Sequence, residues 1–272
     1  MLEMMAFGVS AVCVLLALDA LVRTLAKRPP ESTPGRRLLQ AARVLGIFLL
    51  AGTLATACRR GDNLVTDILW MGMFGFSGLL ALEVAQALGL WAMRGLGPAA
   101  RSDNLAAATA AAAHTVAIGI LIANVFGGSS FAELTIAVLS FAIGQATLLA
   151  LVWLFRCLTT YDDRAQILLG NVAAALSHGG LTIALAIVIA HATEGEFQGT
   201  WPALRDYGIA LCECLVVWPL RQVVVQCLVL RARPQWLGGE LDRAIADRAD
   251  VGAGALEGMT YLAVALFVGA LA

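Results

Sequence analysis

Ionisable side chains within long apolar runs are the residues of this sequence that could carry chemistry. A charged side chain in hydrocarbon costs roughly a few kcal/mol unless it is paired, hydrated or neutralised, so it usually marks an ion route, a proton relay or a buried ion pair. The residues selected here as lining a route for an ion or small solute are Asp19, Glu83, Glu213, Glu257 and His178. The secondary candidates are His191, Asn124 and Arg221.

An internal repeat organises the segments that must position these residues. The segment from Asn171 to His191 reads NVAAALSHGGLTIALAIVIAH, and 67 residues earlier Asn104 opens a similar segment, NLAAATAAAAHTVAIGILIAN. A weaker copy starts near Asp250, and the segment from Leu38 fits the same spacing with most polar positions replaced by apolar ones. Each copy is long enough to cross a bilayer as a helix. The pattern predicts a bundle built from repeated helix pairs.

His178 and Glu257 lie seven residues into their respective copies, which predicts a similar depth in the membrane. Two interpretations stay open, a structural hydrogen bond between packed helices and a site for an ion or substrate. Glu213 and Arg221 are eight residues apart and roughly on one helix face, so one interpretation is that they form a structural ion pair.

Composition predicts the fold class. The chain has 272 residues, of which 60% are hydrophobic and 14% charged, and this leaves too little polar surface for a soluble domain. An all-α, polytopic membrane helical bundle is therefore expected. The six cysteines lie in or at the ends of apolar segments and are assigned structural roles, with no metal or cofactor site predicted. No basic patch with interleaved aromatics favours nucleic acid as a partner.

Eight spans are predicted within a single membrane domain over residues 1–272. The first is interpreted as a retained span, because Glu3 precedes it where a signal peptide has a basic segment. The spans are Met5–Leu25, Leu38–Cys58, Leu64–Met93, Asn104–Asn124, Phe131–Leu158, Asn171–His191, Pro202–Leu230 and Val251–Ala272. The loops predicted to be cytoplasmic are residues 26–37, 94–103, 159–170 and 231–250, and the last has room for a short surface helix.

The distribution of basic residues predicts the orientation. Twelve arginines and lysines lie in or beside the loops after spans one, three, five and seven, and three lie in the other loops. Because basic residues near span ends stay in the cytoplasm, both termini are expected outside it. The repeated helices would then all start at the cytoplasmic face with Asn or Asp, which are good N-caps, and run parallel to one another.

Small residues on the repeated helices favour close packing of their backbones. In lipid, helices associate through such contacts, and Ala and Gly allow the closest approach. The faces suited to this contain Ala106, Ala110, Ala113, Ala173, Gly180 and Ala184. A narrow pore lined by small residues is the alternative, and packing is favoured over it.

The repeat also resembles a known family, the bacterial YjfL-type membrane proteins or domain-of-unknown-function family 350. The resemblance lies in an asparagine, an alanine-rich start and central glycines, at Asn104 with Gly119 and at Asn171 with Gly179 and Gly180. The family's four-span module would cover Leu64 to His191, with the other spans as further half-modules. Leu38 and Asp250 depart from the asparagine and indicate diverged outer copies. The resemblance implies a location in the bacterial inner membrane and supplies no catalytic residues.

The favoured function is a channel or transporter for a small cation or polar solute through the bundle. The alternative is a membrane scaffold that recruits cytoplasmic partners through the basic loops at Lys27 to Arg37 and Arg231 to Arg248. An enzyme is not expected, because the HExxH, GxSxG, Walker A and CxxC motifs do not occur. The lipid bilayer is the expected partner, and the small-residue helices make a homo-oligomer a further hypothesis.

Overall fold

Helices account for the regular structure of this chain. The computed structural model describes residues 2–25, 33–60, 63–193, 200–233, 235 and 238–271, and no strand occurs in those ranges. The long helices are α1 (Leu2–Leu25), α2 (Pro34–Ala57), α3 (Leu64–Ala92), α5 (Leu105–Val125), α6 (Phe131–Arg156), α8 (Val172–His191), α9 (Thr200–Arg221) and α11 (Val251–Leu271). The short helices are α4 (Leu96–Arg101), α7 (Asp163–Leu168) and α10 (Glu240–Ala246), and the π-helical segment Gln222–Val229 continues α9.

The long helices have the dimensions of membrane spans. Within the described ranges, eight of them are long and apolar enough to cross a bilayer. A helix satisfies its backbone hydrogen bonds internally, which is why apolar runs of this length adopt it in lipid. The predicted all-α polytopic membrane bundle is confirmed.

The second span begins earlier than its apolar run. Its N-cap is Thr33, whose hydroxyl accepts a hydrogen bond from the Arg36 N–H at 3.3 Å, and Pro34 occupies the first turn. Proline is well suited to that position because it has no N–H to leave unsatisfied. The loop predicted over residues 26–37 is therefore wrong at its C-terminal end, and residues 26–32 lie outside the described ranges.

Three of the repeated helices start at one face of the bundle. The side chains of Asn104, Asn171 and Asp250 each accept a hydrogen bond from the backbone N–H three residues on, and so cap α5, α8 and α11. The Asn104 amide also donates to Ile167 O at 3.1 Å, and the Asn171 amide to Ile245 O at 2.8 Å, each just before the next helix of the series. We name this side of the bundle the N-cap face. The parallel arrangement is what the repeats require, and the repeats themselves stay a prediction.

Close backbone contacts join four helices into a row in the order α2, α5, α8, α11. A Cβ built on Gly119 would lie 2.7 Å from the Cα of Gly46, and one on Gly180 would lie 2.3 Å from the Cα of Gly258. Carbon atoms that are not bonded do not approach so closely, so these positions accept no side chain. Glycine thus lets the helix backbones touch where a hydrophobic effect cannot drive association.

The remaining long helices, α1, α3, α6 and α9, pack against this row. They carry large apolar side chains on the bundle surface. Trp91 near the end of α3 is 73% exposed, and Trp153 near the end of α6 is 68% exposed. Tryptophan is enriched at the boundary between lipid and water, and both residues lie towards the N-cap face. The outer surface is therefore suited to lipid.

The orientation of the N-cap face can be tested with reporters. A phosphatase fused after Ala272 should be active outside the cytoplasm, and a fluorescent protein inserted at Gly238 should fold inside it. The reason is the excess of basic residues in the loops on the N-cap face. The swapped reporters serve as controls and should both be inactive. Phosphatase activity at Gly238 would reverse the predicted orientation.

Candidate functional site

A buried arginine at the end of α9 pairs with two carboxylates. Arg221 Nε donates to Glu257 Oε1 on α11, and Arg221 Nη2 donates to Asp242 Oδ1 on α10 at 2.8 Å. None of the three is more than 2% exposed. We name Arg221, Asp242 and Glu257 the Arg221 cluster. Glu257 follows Asp250 by seven residues, which places the cluster about 10 Å below the N-cap face.

A change of helix type positions Arg221. Pro219 lies inside α9 and cannot donate the backbone hydrogen bond that an α-helix needs at that point. Three residues later, at Gln222, the chain becomes π-helical and stays so to Val229. Arg221 is therefore the last α-helical residue before this wider helix, a type of distortion that is frequent at functional sites.

Four further donors hold the two carboxylates. Ser177 Oγ donates to Glu257 Oε2 at 2.6 Å, and Tyr261 Oη donates to Glu257 Oε1 at 3.0 Å. The backbone N–H and the hydroxyl of Thr160 donate to Asp242 Oδ2 at 3.1 and 2.8 Å. Both oxygens of each carboxylate therefore accept hydrogen bonds inside the bundle.

A third acid lies beside this cluster, on α7 at the N-cap face. Asp163 is only 5% exposed, and its Oδ2 is 3.4 Å from Arg156 Nε. Burial is the main cause that raises the pKa of the Asp163 carboxyl to about 7. The positive charge of Arg156 lowers this pKa, and the negative charges of Glu257 and Asp242 raise it. Asp163 can therefore exchange a proton near neutral pH.

The charges of this region do not balance when all of its groups are ionised. Three carboxylates, on Asp163, Asp242 and Glu257, lie with two guanidinium groups, on Arg156 and Arg221. Among the described residues one negative charge is in excess, and the raised pKa of Asp163, about 7, allows this carboxyl to take up a proton near neutral pH. The arrangement can accept one proton or attract one small cation.

Neutral polar groups without protein partners lie deeper in the same half of the bundle. Gln145 on α6 is 5% exposed, and within the described residues neither its amide oxygen nor its amide nitrogen has a hydrogen-bond partner. His178 on α8 is 2% exposed, and its Nδ1 is unpartnered in the same sense. Buried polar groups are normally hydrogen-bonded, so each of these atoms could form a hydrogen bond with a water or a solute.

A second charged cluster joins α1, α2 and α3. Arg43 Nε donates to Asp19 Oδ1 at 2.5 Å, and Arg43 Nη2 is 2.5 Å from Glu83 Oε1. Asp19 Oδ2 also lies 3.0 Å from Arg23 Nε on α1. Asp19 and Arg43 are buried, and Glu83 is half-buried. We name these four residues the Arg43 cluster. The first three spans are thus tied together by ion pairs.

The candidates from the sequence divide between these places. Asp19 and Glu83 belong to the Arg43 cluster, and Glu257 and Arg221 to the Arg221 cluster. Ser177 donates a hydrogen bond to Glu257. The residue predicted at the equivalent repeat position of Glu257 was His178, the next residue along α8. The expected pair of Arg221 with Glu213 is replaced by pairs with Glu257 and Asp242, since eight residues of helix span about 12 Å and pairs within a helix form at spacings of three or four.

The other candidates lie outside the two clusters. Glu213 is half-buried on α9. Asn124, at the opposite face from the N-caps, donates through Nδ2 to Ala190 O at 2.6 Å and to Thr193 Oγ1 at 2.9 Å, so it joins the ends of α5 and α8. His191 is half-buried and packs against Gly269 of α11. These contacts give Asn124 and His191 a place in helix packing.

Besides Arg23, four residues in or beside the two clusters were missed from the sequence. Arg43 lies five residues inside the predicted second span, so its charge in an apolar run was a usable signal. Gln145 carried the same kind of signal in the fifth span. Asp163 and Asp242 lie in predicted loops, and their burial follows from α7 and α10, which fold against the bundle. Nothing in their local sequence indicates that.

The family was tested by comparison with known proteins. A family model described as Domain of Unknown Function (DUF350) matches residues 129–272, which is more than half of the chain. The chain belongs to this family. The DUF350 match contains α6 to α11 and so includes the whole Arg221 cluster, with Asp163 beside it. Neither the curated proteins nor the solved structures contain a match to the chain.

The position of the match corrects the predicted module. The four-span unit was expected over Leu64 to His191, spans three to six, but the DUF350 match covers spans five to eight. The expectation relied on asparagine at the start of each repeated helix. Asp250 caps α11 as the asparagines cap α5 and α8, because its Oδ1 accepts a hydrogen bond from Ala253 N at 3.1 Å. Aspartate in place of asparagine therefore keeps the cap and does not indicate a departure from the family unit.

Proposed function

We propose that this protein is a channel or transporter for a small cation, the proton included, in the half of the bundle that contains α6, α8, α9 and α11. One observation carries the proposal: three buried carboxylates, Asp163, Asp242 and Glu257, are paired with two guanidinium groups among the residues that the structure describes. An excess charge that is removed from water is unfavourable, and a bound cation or proton neutralises it.

The depth of the polar groups supports the same proposal. Asp163 lies at the N-cap face, and Glu257 about 10 Å further in along α11. His178 is at the same distance from its N-cap as Glu257, and Gln145 lies near the middle of α6, fourteen residues after Phe131. Acids at the entrance followed by neutral hydrogen-bonding groups suit a cation that exchanges its water in steps.

The scaffold alternative has less support. It relied on the basic loops, but two of their arginines are already paired, since Arg248 Nη1 is 2.8 Å from Glu240 Oε1 and Arg243 Nη2 is 3.0 Å from Glu240 Oε2. The loop at Lys27 lies outside the described residues. Recruitment of cytoplasmic proteins is therefore the alternative function if no ion flux is found in the following test.

Flux should depend on pH through Asp163. In proteoliposomes the parent protein is expected to conduct at least one of H⁺, Na⁺ and K⁺ above the level of empty liposomes. Because the pKa of Asp163 is about 7, its carboxyl is mostly protonated at pH 6 and mostly ionised at pH 8. The ionised fraction rises about tenfold over this interval, and cation flux should rise with it. Asp163→Asn should abolish the pH dependence.

The matched control is Asp103→Asn, which removes an exposed carboxylate at the same face of the bundle. It should keep the flux and the pH profile of the parent. If the folded parent conducts none of the three ions, the transport proposal is wrong. If Asp163→Asn keeps the flux and the pH profile of the parent, as Asp103→Asn should, Asp163 does not control transport and the proposed route is wrong.

A further inference from the structure

A cavity of about 420 Å³ lies beside the Arg43 cluster, between α1, α2, α3 and α4. It is on the N-cap side, because Arg36 near the start of α2 and Arg101 at the end of α4 both line it. Arg36 Nε donates to Arg101 O at 3.3 Å, which joins these two residues at the cavity wall. Its volume is in the range of small-ligand sites.

Positive charge predominates in the wall. Four guanidinium groups line the cavity, on Arg23, Arg36, Arg43 and Arg101. The carboxylates in contact with them are those of Glu83, which also lines the cavity, and Asp19 behind it. Among the described residues the wall therefore has two more guanidinium groups than carboxylates in contact with them, the opposite sign from the region around Arg221.

One buried donor of Arg43, a residue of this wall, has no acceptor among the described residues. Arg43 is 3% exposed, and its Nε and Nη2 face Asp19 and Glu83. Its Nη1 has no hydrogen-bond partner among the described residues. A buried guanidinium N–H without an acceptor is costly, and an anion in the cavity would supply one.

We propose that this cavity binds the phosphate group of an anionic ligand, which Arg43 contacts through Nη1 and which Arg36 and Arg101 hold at the rim. Guanidinium groups bind phosphate oxygens through two parallel hydrogen bonds, and the two excess charges match a phosphate mono- or diester. The ligand is either the headgroup of an anionic phospholipid or a free phosphate. Leu39 and Leu90 in the wall are compatible with the first source, and basic pockets between spans bind such headgroups.

The test uses the full chain in nanodiscs and measures thermal unfolding. One arm compares nanodiscs of phosphatidylcholine alone with nanodiscs that also contain phosphatidylglycerol. The other arm titrates inorganic phosphate into phosphatidylcholine nanodiscs. The test variant is Arg36→Gln/Arg101→Gln, which leaves the buried Arg43 cluster intact. The matched control is Arg37→Gln/Arg94→Gln, which removes two exposed arginines at the same face that do not line the cavity.

The parent should be stabilised in one arm, since a ligand that binds the folded state raises the unfolding temperature. The test variant should bind the same ligand at least about tenfold more weakly, and the control should match the parent. Stabilisation by phosphatidylglycerol alone identifies a lipid headgroup, and stabilisation by phosphate in phosphatidylcholine identifies a free phosphate. If the parent responds in neither arm, or if test variant and control lose affinity equally, the proposal is overturned.

Discussion

Arg221→Met should destabilise the bundle more than any other single charge removal in the chain. The substitution keeps most of the side-chain length but leaves the carboxylates of Glu257 and Asp242 buried together without a counter-charge. Removing one partner from a buried ion pair typically costs about 3–5 kcal/mol, because a buried charge is left uncompensated. We expect a loss of that size in the free energy of unfolding, measured by chemical denaturation in detergent.

Partner variants separate the charge effect from a packing effect. Glu257→Gln leaves Arg221 paired with Asp242 at 2.8 Å, so the remaining pair is balanced and the loss should be much smaller. Arg221→Met added to Glu257→Gln should then cost less than it does in the parent, because only one carboxylate is stranded. Arg37→Met, at an exposed position of α2, should change stability by no more than about 0.5 kcal/mol. Additive effects of the two cluster variants would contradict this account.

The eight spans could be predicted from the sequence because length and apolarity decide them. A run such as Leu64–Ala92 has no other way to satisfy its backbone in lipid. The start of α2 was misplaced because Thr33 and Pro34 resemble a loop until their role as cap and first turn is considered. The short helices α7 and α10 are too brief to be stable alone, so contacts with the bundle decide them.

The partners in the charged clusters were harder to predict than their members. Glu257 and Arg221 were recognised as intramembrane charges, but they are 36 residues apart, and the sequence did not indicate that they form an ion pair. Asp242 in particular is a polar residue in a polar segment, and the packing of α10 against α8, α11 and the π-helical segment Gln222–Val229 buries it at 2% exposure. Arg43 could have been found, since a charge within a predicted span is a local signal.

The contact between α8 and α11 should be the most sensitive packing position of the row. Gly180→Ala places a methyl group 2.3 Å from the Cα and 2.6 Å from the carbonyl oxygen of Gly258, and both of these atoms are backbone. Neither can rotate away, so the helices must separate, which also moves Glu257 relative to Ser177. Overpacking of this kind costs typically about 1–3 kcal/mol, and rigid backbone on both sides favours the upper end.

Gly52→Ala is the matched control, because the same methyl group on exposed Gly52 of α2 meets nothing within 4 Å. Alanine is favoured over glycine within a helix by roughly 0.5–1 kcal/mol, so this variant should be slightly more stable than the parent. One substitution is thus expected to have opposite signs at two positions, measured as the free energy of unfolding in detergent. Equal stability of the two variants would show that α8 and α11 do not touch at Gly180 and Gly258, and the row of four helices would have to be abandoned.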